Sequence, residues 1–210
     1  EMDDEKTKKL QNFVNAIQIE STFPLKVYVA KNEDVNAFAL SGGKIVVYAA
    51  LLEKIKNESQ LLALISHEIS HIENRHVLKN VTRNLSGAIF ISVLFGDISG
   101  INTVLAENAH LFSQLSFTRS LEKEADMYGL KIMKDNKVDL YGMSELFAIL
   151  KKENKFDMPT YLSNHPMLKD RIKYTKKIAK KQDNLPENII LKEKWDALKI
   201  TFTNLGTTHE

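Results

Sequence analysis

The stretch Ser66-His67-Glu68-Ile69-Ser70-His71 places two imidazoles four residues apart, with a carboxylate directly after the first. In a helix, positions four apart stand one turn above each other on one face, so both rings can converge on one metal ion. Glu68 then lies about 100° round the helix, beside the ion rather than on it. From there it can act as general base toward a water held by the metal. The competing reading is two histidines and a glutamate on a solvated helix face, and the surrounding sequence decides between the two.

Those surroundings predict a helix with one face in the core. Asn57-Glu58-Ser59-Gln60 has the form of a helix start, with Asn57 as cap and Gln60 as its reciprocal partner. Leu61, Leu62, Ile65, Ile69 and Ile72 then make an apolar stripe centred opposite His67 and His71. Upstream, Leu10, Phe13, Val14 and Ile17 predict an amphipathic helix from about Thr7 to Ile19, and Pro24 ends it. Strand-like runs follow at Leu25 to Ala30, Val35 to Leu40 and Lys44 to Tyr48, the last two joined by Ser41-Gly42-Gly43 in the manner of a hairpin. The expected fold class is therefore α+β and predominantly helical, with a small antiparallel sheet beside the metal helix. Val35 to Leu40 is the candidate edge strand, whose unpaired N–H and C=O groups would accept an extended peptide. The alternative is that this strand is simply half of the core.

Downstream, Leu85 to Phe95 is apolar but too short for the ~20 residues that cross a bilayer, so it reads as a buried helix or a flap, with membrane contact as the other reading. Ile101 to Phe112 predicts a further helix. Thr118 caps a helix running to about Lys134, on which Glu122 and Asp126 stand one turn apart on one face. Zinc sites with two histidines take a carboxylate as third protein ligand, a part open to Glu122, while Asp126 can accept the second N–H of a ligating histidine. The same pair also suits a solvated helix. Leu140 to Lys152 predicts a helix, and Tyr161 to Pro166 a loop, in which His165 reads on its own as a turn residue beside Pro166. In the next helix Leu168, Ile172, Thr175 and Ala179 form the apolar stripe and a row of lysines the other face, which reads as solvated or as a contact for an anionic membrane. Trp195 and Leu198 predict a short final helix docking back.

Composition sets the outer limits. With 210 residues, 43% hydrophobic and 27% charged, the chain is ordinary globular material for one sizeable core. Net charge of +2 and the lack of any nucleic-acid motif exclude nucleic acid as the partner class. The chain has no cysteine, so any zinc must be held by histidine and carboxylate. The opening Glu1-Met2-Asp3-Asp4-Glu5-Lys6 is acidic where a signal peptide is basic, which suggests a cytoplasmic protein or one whose targeting segment has been removed; a first residue other than Met favours a processed chain.

Four blocks together resemble the soluble members of the zinc peptidase family that includes the CAAX prenyl proteases, HtpX and BepA. They are Asn36-Ala37-Phe38-Ala39 followed by Gly42-Gly43; His67-Glu68-x-x-His71 continuing to Arg75-His76; Arg119-x-x-Glu122-x-x-x-Asp126; and His165-Pro166 followed by Arg171-Ile172. The resemblance implies a zincin-like catalytic domain of the gluzincin type with one Zn2+ per chain, held by His67, His71 and Glu122. It implies Glu68 as catalytic base and Asp126 as the acceptor behind a ligand. It gives His165 and Arg171 a part in the cleft, either stabilising the oxyanion or, in a resting form, filling the open zinc position. His76 also matches, and core packing or a hydrogen bond behind the site is its expected part. Asn36, Ala37, Phe38 and Ala39 would line the substrate strand. Ser41, Ala50 and Thr118 depart from the family pattern, which touches loop shape and a cap rather than chemistry. No third histidine follows His71 at metzincin spacing.

The expected organisation is one peptidase domain over residues 1–210, with a catalytic core at about 20–182 and a C-terminal extension at about 183–210. The expected activity is zinc-dependent cleavage of unfolded or misassembled polypeptides. A latent or chaperone-like protein that binds polypeptides with little proteolysis is the alternative. The family also implies an extracytoplasmic location, in the bacterial periplasm or associated with a membrane.

Overall fold

The computed structural model describes residues 1–84, 116–153, 165–166, 168–182 and 187–203. The sequence-predicted elements at Leu85 to Phe95 and Ile101 to Phe112, and the loop before His165, lie outside these residues.

The chain starts with α1 (Asp4–Asn15), where Asp3 accepts a hydrogen bond from the Lys6 amide at 3.0 Å. This cap explains why the helix begins at Asp4 rather than near Thr7: Asp3 satisfies an orphan N–H, and Asp4 and Glu5 suit the positive end of the helix. Leu10, Phe13 and Val14 turn inward at helical spacing.

Three strands follow, β1 (Lys26–Ala30), β2 (Ala37–Leu40) and β3 (Lys44–Tyr48), in the spatial order β1-β3-β2. The β2–β3 pair is the expected antiparallel hairpin, with Phe38 opposite Val46. β1 runs parallel to β3, with Tyr28 opposite Val46, so the sheet is mixed rather than wholly antiparallel. The hairpin turn sets this geometry. Gly42 and Gly43 both have φ above +80°, and a Cβ on Gly43 would lie 2.5 Å from the Pro24 carbonyl oxygen. Glycine thus lets the turn sit on the start of β1, where the Lys26 amide donates to the Gly43 carbonyl at 2.9 Å. The outer side of β1 is bridged by Met2, whereas among the described residues β2 pairs with β3 alone.

After the short α2 (Ala49–Lys54) comes α3 (Glu58–Glu73), the axis of the fold. Asn57 caps it by accepting from the Gln60 amide at 3.0 Å, and the Gln60 side chain accepts from the Lys56 amide, one residue further out than a capping box would place it. Every α3 residue from Ser59 to Ile72 is buried, so α3 is a central helix and not one with a solvated face. Its serines are satisfied locally, Ser66 donating to the Ala63 carbonyl and Ser70 to that of Ser66.

Around α3 lie α4 (His76–Asn84), α5 (Arg119–Asp135), α6 (Tyr141–Glu153) and α7 (Leu168–Ala179), and α8 (Ile189–Thr203) closes against α1. Gly129 is the close-approach point of α5 on α3, since a Cβ there would meet Ser66 Oγ at 3.3 Å and the His67 amide nitrogen at 3.4 Å. Leu61, Leu62, Leu64, Ile65 and Ile69 of α3 share one apolar core with Val27, Ile45, Phe147, Leu191, Trp195 and Leu198. Each such side chain contributes about 1.5–3 kcal/mol of burial. The final helix thus docks as Trp195 and Leu198 predicted. No described helix is long and apolar enough to cross a membrane.

Candidate metal centre

One face of α3 carries His67 and His71, and α5 crosses it so closely that Glu122 and Asp126 face them. His165, just ahead of α7, completes the cluster, and all five side chains are buried. Ligand atoms of His67, His71, Glu122 and His165 lie within 4.8 Å of one another.

The orientation of each ring follows from its second nitrogen. His67 Nδ1 donates to Asp126 Oδ1 at 2.9 Å, which leaves the Nε2 lone pair pointing into the cluster. There it meets His71 Nε2 at 3.0 Å and His165 Nδ1 at 3.2 Å. His165 Nδ1 is also 3.0 Å from Glu122 Oε1. Nitrogen lone pairs and a carboxylate converging this closely in a buried space call for a cation or protons between them, and this donor set fits a metal ion. Among the described residues neither oxygen of Glu68 has a hydrogen-bond partner, although both are buried. His165 Nε2 is 3.8 Å from Glu68 Oε1.

Behind the cluster stands Arg171, itself buried. Its Nε and Nη2 donate to Asp126 at 2.8 and 2.7 Å, its Nη1 pairs with Glu122 Oε2, and its guanidinium lies 4.1 Å from the centre of the Phe147 ring. Tyr174, one turn on, donates its hydroxyl to Asp126 Oδ2. Phe117 stacks on His71 with ring centres 4.0 Å apart.

Burial works to raise the carboxyls of Glu122 and Asp126, but Arg171 together with His165 at Glu122, and with His67 at Asp126, outweighs it and holds both below their ordinary values. Burial pushes His71 well down, reinforced by the neighbouring imidazoles and Arg171. At His165 burial also lowers the value, but Glu122 overcomes it and the net shift is upward. Tyr174 is pushed up by burial and by the Asp126 charge.

The structure therefore brings together His67, His71, Glu68, Glu122, Asp126, His165 and Arg171. Asn36 is buried beside β2, and both polar atoms of its side chain lack a partner among the described residues. Ala37, Phe38 and Ala39 lie in β2, all buried. Tyr174, Phe117, Phe147 and Glu124 escaped the sequence reading. Tyr174 shares a helix face with Arg171, a signal available once Arg171 is known to point inward. Glu124 lies between Glu122 and Asp126 but on the other side of the helix, so spacing points it away from the site.

Residues 4–179 match the model of peptidase family M48. The chain is 36% identical over 150 residues to mitochondrial metalloendopeptidase OMA1 of Arabidopsis thaliana, covering 70% of this chain and 30% of that protein. It is 28% identical over 161 residues to the beta-barrel assembly-enhancing protease of Escherichia coli strain K12, covering 71% and 33%. To metalloprotease LoiP of the same strain it is 29% identical over 154 residues, covering 71% and 60%. The chain spans about a third of the length of the first two of these relatives.

Proposed function

The chain belongs to peptidase family M48, and from that premise we propose that it is a zinc-dependent endopeptidase acting on unfolded or misassembled polypeptides. The observation that carries this reading is Glu68, whose buried carboxylate has no hydrogen-bond partner among the described residues and adjoins the convergent donors of His67, His71 and Glu122. A buried carboxylate without a hydrogen bond costs stability, and a place beside a metal site gives it a use as proton acceptor.

His67, His71 and Glu122 would hold the ion. Bound there, zinc supplies a Lewis acid that acidifies water and polarises the scissile carbonyl. Glu68 accepts the proton of the attacking water and passes it to the leaving amine. Asp126 fixes the tautomer of His67, and Arg171 keeps Asp126 and Glu122 ionised and aligned. With its donors turned to these carboxylates, Arg171 is a positioning residue rather than an oxyanion ligand. The side of β2 that pairs with no described strand would take an extended substrate along Asn36, Ala37, Phe38 and Ala39. His165 supplies a fourth donor where catalysis needs room for water, which supports a resting, self-blocked state. The name of the Escherichia coli relative, a beta-barrel assembly-enhancing protease, supports misassembled proteins as substrates, and the family resemblance of the sequence supports an extracytoplasmic setting, in the periplasm or against a membrane surface.

Elemental analysis of wild type and Glu122→Ala, paired with cleavage of casein by the same samples, tests the proposal. Near-stoichiometric zinc that falls together with cleavage in the variant is the expected result. A wild type without zinc overturns it, and polypeptide binding that survives Glu68→Gln with no cleavage by either form would favour the chaperone-like reading.

A further inference from the structure

His67 is oriented directly by the Asp126 carboxylate, whereas among the described residues His71 has no carboxylate at its second nitrogen. Its Nδ1 is 3.1 Å from Nδ1 of His76, and Nε2 of His76 is 3.2 Å from Glu124 Oε2. His76 is buried, its ring roughly perpendicular to His71 with centres 5.0 Å apart, and the Glu124 side chain is 48% exposed. A turn built for the purpose brings His76 back. α3 ends at Glu73, and Arg75 takes φ +53°, a conformation uncommon outside glycine and asparagine, before α4 begins at His76.

The proton positions along this row follow from chemistry. For His71 Nε2 to offer a lone pair to a metal, the neutral ring must carry its proton on Nδ1. That proton can go only to an acceptor, so His76 Nδ1 must be unprotonated and its proton must sit on Nε2, directed at Glu124. We propose that His76 and Glu124 form a hydrogen-bonded relay that fixes the tautomer of His71 and strengthens it as a ligand, as Asp126 does alone for His67. His76 and Glu124 are thus positioning residues, and the surface carboxylate acts on the metal through a neutral imidazole. The inference rests on the metal reading of the site given above.

Zinc-loaded wild type, His76→Phe, Glu124→Ala and the double variant would be mixed with excess chromogenic chelator, and the rate of zinc loss followed. His76→Phe should lose zinc about tenfold or more faster, and Glu124→Ala several-fold faster, in the range found for partners behind metal ligands. Because Glu124 acts only through His76, Glu124→Ala should add less than about twofold in the His76→Phe background. Nitrogen-15 spectra of the loaded wild type should show His76 protonated at Nε2 and not at Nδ1. Glu124 is exposed, so its variant folds and reads out even if His76→Phe does not. Unchanged zinc loss in Glu124→Ala, full additivity, or the opposite His76 tautomer each overturns the relay while leaving the metal site standing. A wild type that takes up no zinc overturns the site itself and the relay with it.

Discussion

Arg171 grips Asp126 with two near-parallel contacts, Nε to Oδ2 at 2.8 Å and Nη2 to Oδ1 at 2.7 Å, in a place where both side chains are shut off from solvent. A forked pair of this kind needs the planar guanidinium, and a lysine ammonium cannot reproduce it. Removing the cation also leaves Glu122 uncompensated. Arg171→Met should therefore cost about 3–5 kcal/mol in urea unfolding of the metal-free protein, and Arg171→Lys should recover only part of it. A loss under about 1 kcal/mol for Arg171→Met would contradict the account of the pair.

Glu68 offers the opposite case. Its carboxylate makes no hydrogen bond among the described residues, so Glu68→Gln breaks none there and loses only the longer 3.8 Å approach to His165. The variant should fold with unchanged or slightly higher stability, bind zinc like wild type, and cleave an unfolded protein at least about a hundredfold more slowly. A variant cleaving at the wild-type rate would remove Glu68 from the mechanism.

His165 donates to the cluster through Nδ1 but comes from outside the α3–α5 pair. If its place in the group is that of a plug, His165→Ala should retain zinc through His67, His71 and Glu122 and cleave casein several-fold faster than wild type. A large drop in the rate constant for cleavage, with zinc retained, would instead assign His165 to the transition state.

The buried titratable groups fix an acid limit for the metal-free protein. Unfolded, His71 takes a proton near its ordinary 6.5, while folded it stays neutral well below that, so stability is lost as pH falls from about 6.5. Glu122 and Asp126 act in the same direction lower down, because the unfolded chain binds their protons near 4.5 and 3.8 while the folded carboxyls remain ionised. His165 has the opposite sign: its folded value is raised, so its contribution is complete below 6.5 and fades as pH rises through the raised value. Stability should peak close to neutrality and fall toward pH 4, by up to about 1.4 kcal/mol per pH unit for each proton in play. Urea midpoints between pH 4 and 8 check this, and a flat profile would contradict it.

The local grammar of the chain was readable: Asn57 and Thr118 cap the two site helices, the Gly42-Gly43 turn makes the hairpin, and the spacing of His67 and His71 points to a shared ion. Long-range effects hid the rest. α3 looked two-faced because its apolar stripe runs opposite His67 and His71, yet the hydroxyls of Ser66 and Ser70 bond to the helix's own carbonyls, and that makes full burial tolerable. Only the resemblance of the His165-Pro166 and Arg171-Ile172 block drew Arg171 into the cleft, and the carboxylates of α5 are what explain its burial. The parallel pairing of β1 depends on the meeting of Pro24 and Gly43, which no period-2 pattern encodes. Glu124 joined the site only through a ring that itself touches no substrate.

The burial of α3 from Ser59 to Ile72 has a consequence for when the cluster comes into being during synthesis. The donor set has no independent existence: its members come from α3, from α5 and from the residue ahead of α7, and they meet only in the interior. A chain emerging from the ribosome carries the His67–His71 pair long before Arg171 arrives to hold Asp126 and Glu122 in place, so a half-made copy lacks the assembled site. The same arrangement means that damage which melts the core also scatters the donors, so a failing copy loses the site together with the fold.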